Sequence, residues 1–212
     1  MLYMKIQSLK TQFFEGNKDV IVYISESFDE ISVLREYGVK SSILMISGFE
    51  WNRHLSPWPS ERIFRKGDDF AGQADLLADD ICEILRQINA GGKLMCAGYS
   101  LAGLFALYLC SKTKIFDACI SASGSLWYPG FKDYLIDHHV NCRFVYLSLG
   151  DKEKNTKNPV MQKVQTCTEE IVSELGLYTE AVLEMNPGNH FNDPAGRIAK
   201  GMKYTEVWQT EN

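Results

Sequence analysis

The apolar positions of this chain fall into short runs separated by stretches of helical period. Residues 20–24 (VIVYI) and 42–46 (SILMI) are runs of strand length, and 93–97 (KLMCA), 118–121 and 143–149 read the same way. Residues 75–88 place apolar side chains at 76, 77, 81, 84, 85 and 88, which predicts an amphipathic helix stopped by Asn89-Ala90-Gly91-Gly92. Residues 101–110 (LAGLFALYLC) are apolar nearly all round and predict a buried helix. A helix over 161–175 stopped by Gly176, a last strand over 178–185 and a last helix over 198–208 complete the pattern. Strands alternating with helices define an α/β sheet protein. Between Gly48 and Gly72 the period is lost, in a segment with two tryptophans and two prolines. A loop of that length inside a compact domain is usually functional or disordered, and its aromatic residues argue against disorder.

Composition narrows this picture without changing it. The 212 residues are read as one domain, 1–212. With 22 Lys and Arg against 27 Asp and Glu, the net charge of −5 excludes a nucleic-acid binder, which needs a basic field. Lys5 and Lys10 interrupt the N-terminus before any apolar run of signal-peptide length, and no stretch approaches the roughly 20 apolar residues that cross a bilayer. The six cysteines, Cys82, Cys96, Cys110, Cys119, Cys142 and Cys167, are scattered, with no metal spacing. They read as reduced thiols, so the expectation is a cytoplasmic protein with no membrane partner and no metal.

The sharpest chemical signal is Gly98-Tyr99-Ser100-Leu101-Ala102-Gly103, between a predicted strand and a predicted helix. That is the context of a nucleophile elbow: the serine sits on a strained turn, so the residues two before and two after it must be small. Ala102 stands where glycine is usual and adds only a methyl group. The helix start directs free N–H groups at the site, which makes the Leu101 N–H an oxyanion donor. Of four histidines, His190 lies in a turn-rich loop after the last strand, where a triad base belongs, and the order serine, acid, histidine fits. His138 and His139 read as a solvated helix end, and His54 as a residue of the long loop. The turn after the strand 143–149 offers two acids to orient the base, Asp151 and Glu153.

GYSLAG at 98–103, SLGDKE at 148–153 and NPGNHF at 186–191 make the chain, from about residue 20 to about residue 205, resemble an alpha/beta-hydrolase. More narrowly it is similar to the esterase family of feruloyl esterases, siderophore esterases, S-formylglutathione hydrolases and mycolyltransferases. The resemblance implies a mostly parallel central sheet with helices on both faces and a minimal lid. It implies that Glu153 rather than Asp151 is the acid, since the family's acid lies three residues after the glycine ending its strand. It also implies that the turn Ser47-Gly48-Phe49 supplies the second oxyanion N–H, from Phe49 or its neighbour Glu50.

With little room for a lid, residues 49–70 are expected to form the pocket wall. Trp51, Trp58, Phe64 and Phe70 stand on one side, Trp127 and Tyr128 on the other, and Tyr99 beside the serine. Arg53, Arg62, Arg65 and Lys66 either meet a substrate carboxylate or are solvated surface. The expected activity is cleavage of a small-molecule carboxylic ester through a Ser-His-acid triad and an acyl-enzyme, with no cofactor. Thioester hydrolysis and acyl transfer share that chemistry, and an inactive hydrolase fold used for binding is the alternative of another class.

Overall fold

The computed structural model describes residues 4–26, 29–63, 67–88 and 90–211. In chain order its elements are β1 (Lys10–Phe14), β2 (Asn17–Ile24), α1 (Glu30–Glu36), β3 (Ser41–Ser47), α2 (Trp51–His54), β4 (Pro59–Ser60), β5 (Phe70–Ala71) and α3 (Ala74–Leu85). There follow β6 (Leu94–Tyr99), α4 (Leu101–Lys112), β7 (Ala118–Ala122), α5 (Phe131–His138), β8 (Phe144–Gly150), α6 (Val164–Leu175), β9 (Glu180–Asn186) and α7 (Pro194–Glu211).

Seven strands form one sheet in the order β1-β3-β2-β6-β7-β8-β9, parallel except for β1, which runs antiparallel to β3 at the edge. The strands read as continuous apolar runs because both faces are covered. Side chains alternate across the sheet: in β2, Val20, Val22 and Ile24 pack with α3 to α6, while Ile21 and Tyr23 pack with α1 and α7. Helix α4 is apolar all round because nearly every residue of it is buried. This is the alpha/beta-hydrolase fold. Among the described residues no helix is long and apolar enough to cross a membrane.

Three differences from the sequence reading have physical causes. Strand β1 is an edge strand with four of five residues exposed, so it has no apolar run to read. Helix α1 has seven residues and buries only Ile31 and Leu34, too short for a periodic signal. The segment expected as loop 49–70 contains α2 and the antiparallel β4–β5 pair, with Pro59 opposite Ala71 and Ser60 opposite Phe70. Phe64, Arg65, Lys66 and Asn89 lie outside the described residues.

Parallel pairing brings the C-terminal ends of β6, β7, β8 and β9 to one edge of the sheet. Tyr99 is in register with Ala122, Ala122 with Ser148, and Gly150 with Asn186. In open α/β sheets that edge is where ligands bind.

Candidate active site

Ser100 occupies the single residue between β6 and α4. Its φ of 58° and ψ of −123° lie where a side chain is strained, at about 1–3 kcal/mol, and the turn needs a bare Gly98. A Cβ on Gly98 would collide with the Ala102 carbonyl, which explains the small residues on both sides of the serine. The Ala102 methyl group is fully buried in the core. Leu101 is the first residue of α4, so its N–H is among those a helix leaves without an internal partner.

The structure brings Ser100, His190 and Glu153 together. His190 Nε2 lies 3.0 Å from Ser100 Oγ, and His190 Nδ1 lies 2.8 Å from Glu153 Oε2. Of the two acids, Glu153 is the buried one, with 6% of its surface exposed. Asp151 is exposed and accepts the Gly188 N–H at 2.8 Å, which ties down the start of the histidine loop. The other Glu153 oxygen, Oε1, accepts from Gly150 N at 2.7 Å, Ser123 Oγ at 2.8 Å and Arg197 Nη1 at 2.8 Å. Burial alone pushes the Glu153 carboxyl up. The hydrogen bond and charge of His190, the Gly150 N–H and the Ser123 hydroxyl outweigh it and hold the carboxyl below the ordinary range.

Beside the serine is a cavity of about 190 Å³ lined by Trp51, Asn52, Phe70, Ser100, Leu101, Ser125, Trp127, Met161, His190 and Phe191. Trp51, Phe70 and Trp127 stand where the sequence placed them. Trp58 does not reach the cavity: its Nε1 donates to Pro129 O at 2.9 Å and its ring packs on Tyr128, Phe131 and Tyr134, so it anchors the wall. Tyr128 does the same, its hydroxyl donating to Trp58 O at 2.6 Å. Tyr99 is not a pocket residue either. Its hydroxyl donates to the His190 carbonyl at 2.6 Å, behind the imidazole.

The Phe49 N–H, expected to hold the oxyanion, already has a partner. Strand β2, not β3, lies beside β6, and the Phe49 N–H donates to Glu26 Oε1 at 3.2 Å. The Glu50 N–H donates to His54 Nδ1 at 2.9 Å, which places His54 as a buried cap of its own turn, with its pKa pushed down by burial. The described basic residues of the wall do not line the cavity: Arg53 pairs with Glu50 and Arg62 donates to the Gly67 carbonyl. His138 and His139 are exposed and stack on Tyr134 and Tyr178. All six cysteines are free, and among the described residues no cluster of His, Cys, Asp and Glu could hold a metal ion.

Asn52 and Met161 of the cavity lining escaped the sequence reading, and so did four groups at the triad and the rim. Ser125 lies with its Oγ 3.4 Å from Ser100 Oγ, and its N–H donates to the Ser100 carbonyl. Ser123 bonds the acid, and Arg197 reaches both the acid and the histidine loop. Phe191 forms the cavity rim at 81% exposure. The serines follow a predicted strand end in the turn Ser123-Gly124-Ser125, which was a usable signal. Arg197 had none, because the last helix was expected to start one residue after it.

No family model matches the chain, and no curated protein matches it by sequence. Solved structures match it in fold. An IroE-like serine hydrolase from Shewanella oneidensis aligns with a TM-score of 0.72 at 16% identity, over 89% of this chain and 70% of that one. The siderophore hydrolase EstA from Aspergillus nidulans aligns at 0.66 and 16%, over 98% and 99% of the two chains. Est1E from Butyrivibrio proteoclasticus aligns at 0.66 and 11%, over 100% and 99%. The chain shares the architecture of these proteins along nearly its whole length.

Proposed function

We propose that this protein is a serine esterase that cleaves a small, apolar carboxylic ester through an acyl-enzyme. The observation that carries the reading is His190 bridging Ser100 and Glu153, at 3.0 and 2.8 Å, at the edge of an apolar cavity. The named activities of the structural neighbours, a serine hydrolase and a siderophore hydrolase, point the same way.

Ser100 Oγ attacks the ester carbonyl carbon while its proton passes to His190 Nε2. Ionised Glu153 holds the Nδ1 proton and stabilises the imidazolium. The Leu101 N–H, at the positive end of α4, faces the developing oxyanion. Collapse breaks the carbon–oxygen bond, and His190 returns the proton to the leaving alcohol. Water, deprotonated by the same imidazole, then adds to the acyl carbon and releases the acid and Ser100. The reaction uses side chains and backbone alone.

Apart from His190 the cavity lining carries no titratable side chain, so a charged acyl group would be desolvated without a partner. An uncharged acyl or aryl group fits it. The whole chain acts as one domain, and its six free cysteines suit a reducing compartment such as the cytoplasm.

The test is a panel of p-nitrophenyl esters with neutral and carboxylate-bearing acyl groups, with intact mass read on rapid quenching. Turnover of the neutral esters and a transient acyl adduct on the protein are expected. Binding of these esters without turnover or adduct would instead identify a non-catalytic binding fold.

A further inference from the structure

Among the described residues Arg197 is the largest fully buried side chain, with 2% of its surface exposed. It rises from the first turns of α7 beneath the C-terminal edge of the sheet. Nη1 donates to Glu153 Oε1 at 2.8 Å and to Ser123 Oγ at 3.0 Å, and lies 3.5 Å from Tyr99 Oη. Nη2 donates to the Pro187 and Asn189 carbonyls at 3.1 and 2.9 Å. One guanidinium therefore touches residues at the ends of β6 and β7, the acid after β8 and the backbone on both sides of Gly188 after β9. Gly150 must be bare here: a Cβ would collide first with the Gly188 carbonyl oxygen, and would sit 2.8 and 2.9 Å from the two Arg197 amino nitrogens.

We infer that Arg197 is a positioning residue that fixes Glu153 and the His190 loop relative to each other and offsets the carboxylate's charge. The inference rests on the triad reading above. Its warrant is geometric. A carboxylate has two oxygens, and Arg197 helps saturate Oε1, leaving Oε2 aimed at His190 Nδ1. The planar fork matches carboxylate and paired carbonyls in a way that an ammonium cannot.

The charge has a separate consequence. The titratable and charged groups facing Glu153 are His190 from the β9–α7 loop, Arg197 from α7 and Tyr99 from β6, while Asp151, Lys152 and Lys154 of its own turn are exposed. Removing this permanent cation from Glu153 Oε1 strengthens the carboxylate's field on the imidazolium that forms in the reaction, so the acid limb of kcat/KM moves to higher pH. Arg197 does not line the cavity, so KM has no reason to change.

The experiment compares wild type, Arg197→Lys and Arg197→Met. Turnover is normalised to sites titrated with a fluorophosphonate, and the His190 ring resonances are followed by NMR across pH. Arg197→Met is expected to lower kcat per titrated site about a hundredfold with KM unchanged within about twofold, and to move the acid limb up by about one pH unit. Arg197→Lys keeps the charge and loses the fork, so its limb returns to the wild-type position while kcat stays reduced. Unchanged kcat per site and unchanged limb, with only a lower melting temperature, would overturn the inference and leave Arg197 a purely structural ion pair. If Arg197→Met does not fold, Arg197→Lys decides alone: full kcat per site overturns the inference. If wild type neither turns over ester nor takes the label, the esterase reading has failed. The His190 ring resonances then still decide the pairing, since the Nδ1–H signal that reports the Glu153 hydrogen bond must differ between wild type and variants if Arg197 sets the pair.

Discussion

The floor and the wall of this site are built on opposite rules. The floor, at the ends of β6 to β9, is polar; Ser100 and His190 are half-buried, while its acid and guanidinium are buried and each fixed by several bonds. Glu153 takes four hydrogen bonds on two oxygens, and Arg197 gives them to residues from four strand ends. The wall is apolar. Trp51, Phe70, Trp127, Met161 and Phe191 line it, and two of these aromatic residues are open to solvent, Trp51 at 38% and Phe191 at 81%. The difference separates two tasks. A buried polar network is rigid when fully satisfied and costly when broken, which suits groups that must meet within tenths of an ångström. An apolar rim recognises shape and tolerates change.

The comparison breaks first at the acid. Glu153→Gln is expected to lower kcat by on the order of 10⁴, because an amide can present the wrong face to His190 Nδ1. Asp151→Asn, two residues away and exposed, is expected to stay within about fivefold, since its amide oxygen still accepts the Gly188 N–H. Steady-state kinetics on the pair check this, and a loss below about tenfold at Glu153 would remove it from the triad.

On the wall, Trp51→Ala and Phe191→Ala are each expected to raise KM by about tenfold for the preferred neutral ester, with kcat within about threefold. A loss mainly in kcat would mean that these rings shape the transition state rather than hold the substrate.

The smallest effect is on stability. The Glu153 carboxyl lies below its ordinary range in the folded protein, so its contribution is present above the unfolded-state value and is lost as pH falls through the folded one. Chemical denaturation should show wild type above Glu153→Gln at neutral pH, with the gap closing in acid. A gap independent of pH would assign the effect to packing.

The floor was partly legible in the sequence, and its legible parts are those that leave a local trace. Ser100 is visible because a strained turn demands Gly98 and a small Ala102 between a strand and a helix. His190 is visible because its loop is rich in turn residues. Asp151 and Glu153 are told apart in the chain only by the family resemblance; in the structure burial and partners separate them, and three-dimensional packing decides both. Arg197 leaves no trace, because its partners lie 8 to 98 residues away. The neighbours of the nucleophile strand are not legible in chain order either: β3 follows β2 in sequence, but the sheet places β2 against β6. In the wall, aromatic character announced a pocket, yet it did not distinguish Trp51, which lines the cavity, from Trp58, which anchors the segment to Pro129.

On the proposed mechanism Ser100 is an activated nucleophile held by this floor. Fluorophosphonate labelling of wild type and Ser100→Ala, read by intact mass, tests it most directly. Ser100→Ala removes only a hydroxyl at a turn and should fold as wild type does. One adduct on wild type and none on Ser100→Ala are expected; no adduct on the folded wild type, or an equal adduct on both, would mean that Ser100 is not an activated nucleophile.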